Sequence, residues 1–173
     1  QASILVDSDI VVTATFANLQ PTQSVAALDG SDGFVLNGVI DDANTGFAVS
    51  DIGDFNGDGF ADFLVGAPGA NGYGGSSGES YVVFGAAGGF SAALSVLDLD
   101  GSNGFRLDGV EANELSGRSV SGAGDFNGDG FADLLVGQPA AGGGVGASFV
   151  LFGAAAGIGA ASIATGDLDG TDG

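Results

Sequence analysis

The 173-residue chain has no cysteine, no histidine and no methionine or tryptophan, and its only basic residues are Arg106 and Arg118. Without cysteine no disulfide can staple the fold, so another staple is expected. Without histidine, cysteine or lysine the usual bases and nucleophiles are missing, and the chain is not expected to be an enzyme. Carboxylate pairs of the glycosidase kind remain formally available, but almost every clustered Asp falls in a loop or turn with another use. Nucleic acid is excluded as a partner, because binding it needs clustered Lys or Arg. No segment is apolar and long enough to span a bilayer, so no membrane insertion is expected. The chain begins at Gln1, which reads as a processed form or a fragment, with a removed signal peptide as one route to it.

What is present is acidic and rich in glycine. Twenty-two acidic residues give a net charge of -20, and there are 35 glycines. Only Glu79, Glu111 and Glu114 are glutamate, each in a loop-like context; the remaining acids are Asp, which prefers turns and metal loops to helix interiors. Such a surface attracts divalent cations. Hydrophobic residues make up 45%, enough for a packed core, and 13 phenylalanines supply its large side chains.

The chain repeats itself. LDGSDG at 28–33 returns as LDGSNG at 99–104 and LDGTDG at 168–173; GDFNGDGFADFLVGAP at 53–68 returns as GDFNGDGFADLLVGQP at 124–139. Asp54 and Asp125 stand 71 residues apart, whereas YVVFGAA at 81–87 and FVLFGAA at 149–155 stand 68 apart. Three residues are therefore missing from the second copy of the glycine-rich loop around 69–78. That loop carries Tyr73 and reads as flexible, with contact to a partner as the alternative. The organisation expected is a leader at 1–27, repeat one at 28–98, repeat two at 99–167 and the start of a third copy at 168–173.

Each repeat holds four β-type runs bounded by Gly, Asn and Asp. They are Phe34–Val39, Phe47–Ile52, Phe63–Ala67 and Ser80–Phe84, then Phe105–Val110, Ser119–Ala123, Leu134–Gly137 and Ala147–Phe152. FLVGAP and YVVFG are continuously apolar, the mark of strands covered on both faces. The Ala-rich stretches 86–93 and 154–164 are broken by Gly and allow at most a short helical turn. The leader has its own strand signal at Ile10–Ala17, with Ile10, Val12, Ala14 and Phe16 on one side and no partner in sequence.

The most specific chemistry lies in two identical nonamers, Asp54–Asp62 and Asp125–Asp133. Oxygen side chains fall at positions 1, 3, 5 and 9 (Asp54, Asn56, Asp58, Asp62; Asp125, Asn127, Asp129, Asp133), with Gly at 6. The carbonyl at position 7, Phe60 or Phe131, adds a further oxygen. Calcium takes six to eight hard oxygen ligands, and this spacing copies the start of an EF-hand loop. An EF-hand needs Glu at position 12, but Val65 and Val136 stand there inside strand-like runs, so the loop is expected to join two strands of a hairpin. Two Ca2+ sites are expected. The DG[ST][DN]G segments at 29–33 and 100–104 read as turns, with a second ion aided by Asp98 as the alternative.

The block GDFNGDGFADFLVGAP and its second copy resemble the FG-GAP repeat of integrin α-subunit β-propellers and their bacterial relatives, over residues 28–167. The resemblance implies an all-β fold of two four-stranded, propeller-blade-like repeats, here preceded by an N-terminal strand segment. It also implies calcium held in each blade's hairpin by the oxygens named above, and extracellular adhesive or scaffolding work. Propellers close with about four to eight blades, and this chain supplies two. It is therefore a fragment, a component of a ring of several chains, or a compact pair of blades that hands its leader strand to a neighbour. The last is the favoured expectation, giving self-association head to tail into a filament. The second functional reading is a module that binds an extracellular protein or glycan.

Overall fold

The computed structural model describes residues 24–171, apart from Tyr73, Ala156 and the side chain of Val25. The leader strand expected at 10–17 lies outside the described residues, as does Tyr73. The described chain is almost wholly β: β1 Val35–Asn37, β2 Ala48–Gly53, β3 Asp62–Ala67, β4 Glu79–Val83, β5 Ala93–Ser95, β6 Gly104–Asp108, β7 Ser119–Gly124, β8 Asp133–Gln138, β9 Ala147–Leu151 and β10 Ser162–Ala164. The one α-helical turn among the described residues, Ala141–Gly144, has left-handed φ at Gly142 and Gly143 and so does not propagate. No helix among the described residues is long and apolar enough to cross a membrane.

The sheets explain the repeat. In the first blade β2, β3 and β4 pair antiparallel in order, and β6 pairs antiparallel with β4. In the second, β7, β8 and β9 pair in the same way and register. β6 opens repeat two in sequence, yet its hydrogen bonds complete the sheet of repeat one. On its other edge it pairs in parallel with β10, as β1 pairs with β5. β5 and β10 fall at or beyond the ends of the Ala-rich stretches, where a helical turn was the most expected. Their three-residue strands exist through parallel pairing with distant partners, which no local pattern reveals. A 3-10 turn follows each of them, at Val96–Asp98 and Thr165–Asp167.

Both faces of the first sheet are packed. On one face Phe63, Tyr81 and Val83 lie under Leu36, Phe90, Leu94, Val96 and Leu99. On the other, Ile52, Phe55, Leu64, Val82, Phe84 and Phe105 meet Leu107, Leu134, Val136 and Leu151, the core between the blades. Phe55, Phe84 and Phe105 form an aromatic trio with ring centroids 5.7–6.4 Å apart. At the inner strands the backbones touch: a Cβ on Gly66 would lie 1.9 Å from the carbonyl oxygen of Gly117. Gly78 and Ser116 form a parallel bridge at the same junction.

Two glutamates read from sequence as loop residues are structural. Glu79 lies buried in β4 and accepts a hydrogen bond from the Tyr81 hydroxyl. Opposite it across the β4–β6 pair stands the buried Asp108, ion-paired with Arg106, Nη2 to Oδ2 2.9 Å. Burial and the Glu79 carboxylate hold the Tyr81 phenol well above its ordinary pKa. Buried Glu114 accepts from the backbone N–H groups of Val110 and Glu111, both at 2.9 Å, and so shapes the turn ahead of β7.

Candidate calcium-binding loops

Each nonamer is the connection of a β-hairpin, β2 to β3 and β7 to β8, as its position-12 valine implied. Left-handed glycines make the loop possible: Gly57 and Gly59 have φ of 73° and 90°, and Gly128 and Gly130 have 80° and 96°. In the first loop the Asp54 carboxylate accepts from the N–H of Asp58 (3.0 Å) and of Gly59 (2.9 Å). The Asn56 carbonyl oxygen meets the same Asp58 amide at 3.0 Å, while its NH2 donates to Asp58 Oδ2 at 3.0 Å. Asp58 Oδ1 accepts from Phe60 N–H at 2.9 Å. The second loop repeats this through Asp125, Asn127 and Asp129.

Position 9 does different work. Asp62 is buried, and its carboxylate accepts from Phe55 N–H (2.9 Å) and Gly85 N–H (2.8 Å), tying the loop to the end of β4. Asp133 does the same with Phe126 (2.6 Å) and Gly153 (2.9 Å). Burial pushes the Asp62 carboxyl above its ordinary value against the pull of those N–H groups. The sign follows: with the folded value raised, the ionised form weakens the fold, and this cost grows as pH rises from the unfolded value to the folded one. Replacing Asp133 by Ala leaves two or more amides without a partner at a buried site. The expected loss is about 2–4 kcal/mol, read as a lower urea midpoint at unchanged m.

The donor set is all hard oxygen, which suits calcium and not a thiolate- or imidazole-seeking metal. Among the described residues no three acidic side chains converge on one point. The loop carboxylates of Asp54, Asp58, Asp125 and Asp129 accept from loop amides, which leaves each carboxylate further lone pairs. The DG[ST][DN]G segments at 29–33 and 100–104 are turns: Asp29 and Asp100, like Asp169 further on, each accept from the hydroxyl and N–H two residues on, at 2.6–3.0 Å. Those bonds hold the three exposed carboxyls below their ordinary value. Asp98 caps its own 3-10 turn, accepting from Ser95 N–H at 3.2 Å.

The two loops differ in their surroundings. Phe55 is fully buried between the blades, while its equivalent Phe126 is 69% exposed. The first loop is also braced by repeat two, with Ala132 N–H donating to the Asp54 carbonyl (3.1 Å) and Ala154 N–H to that of Phe55 (3.1 Å). Sequence reasoning missed this asymmetry, because the nonamers are identical.

Fold and loops together define a pair of propeller-type blades, each with an acidic hairpin loop at one end. The repeats are FG-GAP repeats: the family model of that description matches residues 48–83 and 116–151, the spans from β2 to β4 and from just before β7 to β9. The chain is also similar to integrin alpha-E of Mus musculus, 39% identical over 103 residues, or 54% of this chain. The matched segment makes up 8% of that protein's length.

Proposed function

We propose that the chain is an extracellular structural or adhesive module whose blades are braced by two calcium ions, one held by Asp54, Asn56, Asp58, the Phe60 carbonyl and Asp62, the other by Asp125, Asn127, Asp129, the Phe131 carbonyl and Asp133. The observation that carries this reading is the pair of oxygen-only hairpin loops at repeat spacing, in a chain without the usual catalytic side chains. The extracellular setting is supported by the likeness to an integrin alpha chain. Modules of this class bind calcium with Kd on the order of 0.1–1 mM, which extracellular calcium satisfies and cytosolic calcium does not. When bound, calcium would offset two of the three carboxylate charges in each loop and fix the two strands the loop joins.

Calorimetric titration with CaCl2 tests the reading. Two sites per chain are expected, one lost in Asp58→Ala, one in Asp129→Ala and both in the double variant; no heat of binding in the parent protein sinks it. Self-association through the leader strand is the second part of the proposal. Electron microscopy in millimolar calcium should show filaments that removal of residues 1–20 abolishes while the melting transition is retained. The alternative, a protein- or glycan-binding module, would show discrete particles in both proteins and a selective signal on a glycan array.

A further inference from the structure

We propose that the two calcium loops act as one coupled unit, an ion in the second loop tightening the first through the Phe131 ring and a backbone relay that joins Asp133 to Asp62. This coupling rests on the calcium reading above and makes each site depend on the other. Every contact it uses lies between the two repeats and inside the chain.

Positions 7, 8 and 9 of the second loop each reach the first. At position 7 the Phe131 carbonyl is an expected ligand, while its ring fills the place that a side chain on Gly57 would take. A Cβ built on Gly57 would lie 2.4 Å from Cε1 of that ring and 3.1 Å from Cδ1. At position 8 the Ala132 N–H donates to the Asp54 carbonyl at 3.1 Å, and its methyl stands 3.0 Å from a Cβ built on Gly53. At position 9 the relay begins.

The Asp133 carboxylate accepts from Gly153 N–H at 2.9 Å. The next amide along, Ala154 N–H, donates to the Phe55 carbonyl at 3.1 Å. Phe55 N–H in turn donates to the Asp62 carboxylate at 2.9 Å. Two buried carboxylates, each an expected ligand of a different ion, are thus joined by a chain of hydrogen bonds through two short backbone pieces. Gly153 is the point where the loops meet. A Cβ there would lie 2.3 Å from the Ala132 carbonyl oxygen, 2.7 Å from that of Phe55 and 2.8 Å from Cβ of Phe131, so both loops press on it.

An ion in the second loop holds the Asp133 carboxylate and the Phe131 carbonyl, and so fixes the segment that carries all three contacts. The first loop then binds with part of its ordering already done, which makes the coupling positive. By linkage the first ion tightens the second by the same factor. Charge works the other way, since an ion in one loop weakens the negative potential that draws an ion to the other. Asp58, Asp125 and Asp129 are exposed, however, and at physiological salt a Debye length of about 8 Å screens them. Hydrogen bonds and a ring contact are not screened in this way, so the contacts are expected to outweigh the charges.

Calorimetric titration of the full chain with CaCl2 tests this, on the parent, Asp58→Ala and Asp129→Ala, at about 0.1 M and about 0.5 M KCl. Each variant keeps one site. The product of the parent's two stepwise association constants, divided by the product of the two single-site constants, is the coupling factor. A factor of about five or more is expected, retained in high salt. It should fall severalfold when all three proteins also carry Phe131→Ala, and stay when they carry Phe131→Tyr. Hydrogen exchange gives a second readout that needs no change at Phe131. In Asp58→Ala only the second loop can fill, yet millimolar calcium should slow exchange severalfold at the first-loop amides of Phe55 and Gly59, which Asp62 and Asp54 hold at 2.9 Å. A factor of one or less overturns the coupling, as does one that vanishes in high salt or that Phe131→Ala leaves whole. So does exchange at Phe55 and Gly59 that calcium does not slow. In each of these cases the calcium reading stands, whereas a parent that binds no calcium overturns both.

Discussion

Replacing Gly117 by alanine is expected to cost more than about 4 kcal/mol and to leave little native protein, since domains of this size hold only about 5–15 kcal/mol in reserve. The new methyl would lie 2.5 Å from the Glu79 carbonyl oxygen, 2.6 Å from the Ser80 hydroxyl and 3.2 Å from Cα of Gly66, so that even with the hydroxyl turned away it meets backbone on both sides. Gly66→Ala, whose methyl would lie 1.9 Å from the Gly117 carbonyl oxygen, should behave the same way. Either forces the blades apart and opens the core of Leu64, Val82, Phe105 and Val136. The control is Gly46→Ala, the equivalent position on the outer face. It has a similar left-handed φ, 91° against 78°, but open space around it. It carries only the conformational penalty, about 1–2 kcal/mol. Urea unfolding followed by circular dichroism separates the two. Equal losses would show that backbone conformation decides and that the close approach does not.

Equivalent residues with unequal fates also mark how far the sequence could be read. The 71-residue offset, the hairpin loops and the central strands were legible because each is written locally: continuous apolar runs for β3 and β4, and oxygen spacing with Gly at position 6 for the loops. Partnership across the repeat boundary was not. Phe105 reads as the opening strand of its own repeat, yet its backbone completes the previous sheet while its ring packs tilted against Phe55 and Phe84. Nothing local could say so, since Phe34 at the same place in repeat one stacks on Phe90 instead. Glu79 and Glu114 were misjudged for a related reason. Glu79 beside Gly78 and Glu114 beside Asn113 read as loop residues until the hydroxyl or amides that satisfy them are brought near by the fold. The identical nonamers hid the difference between buried Phe55 and exposed Phe126, which depends on what lies beside each blade.

Calcium should raise the melting temperature of the protein by on the order of 10 °C, and chelator should reverse it. Taking Kd at about 0.1–1 mM, 10 mM calcium stands at roughly 10–100 times Kd, worth about 1.4–2.7 kcal/mol per site if the unfolded chain binds none. Two sites then give roughly 3–5 kcal/mol, and for a chain of this length each kcal/mol moves the transition by about 2–4 °C. At the proposed sites the gain would come from an ion offsetting the repulsion among the loop carboxylates of Asp54, Asp58, Asp125 and Asp129, because the chain's two arginines, Arg106 and Arg118, lie outside the loops. Asp58→Asn and Asp129→Asn separate the contributions. Each removes a charge without removing bulk, so each should take away at least half of the calcium shift while leaving the calcium-free protein no less stable, because a like charge has gone. Magnesium at the same concentration should do much less, since a smaller ion demands octahedral geometry and keeps its waters. A shift that magnesium matches, or that survives in the double variant, would mean that calcium acts on the net charge of -20 at large and not in the loops.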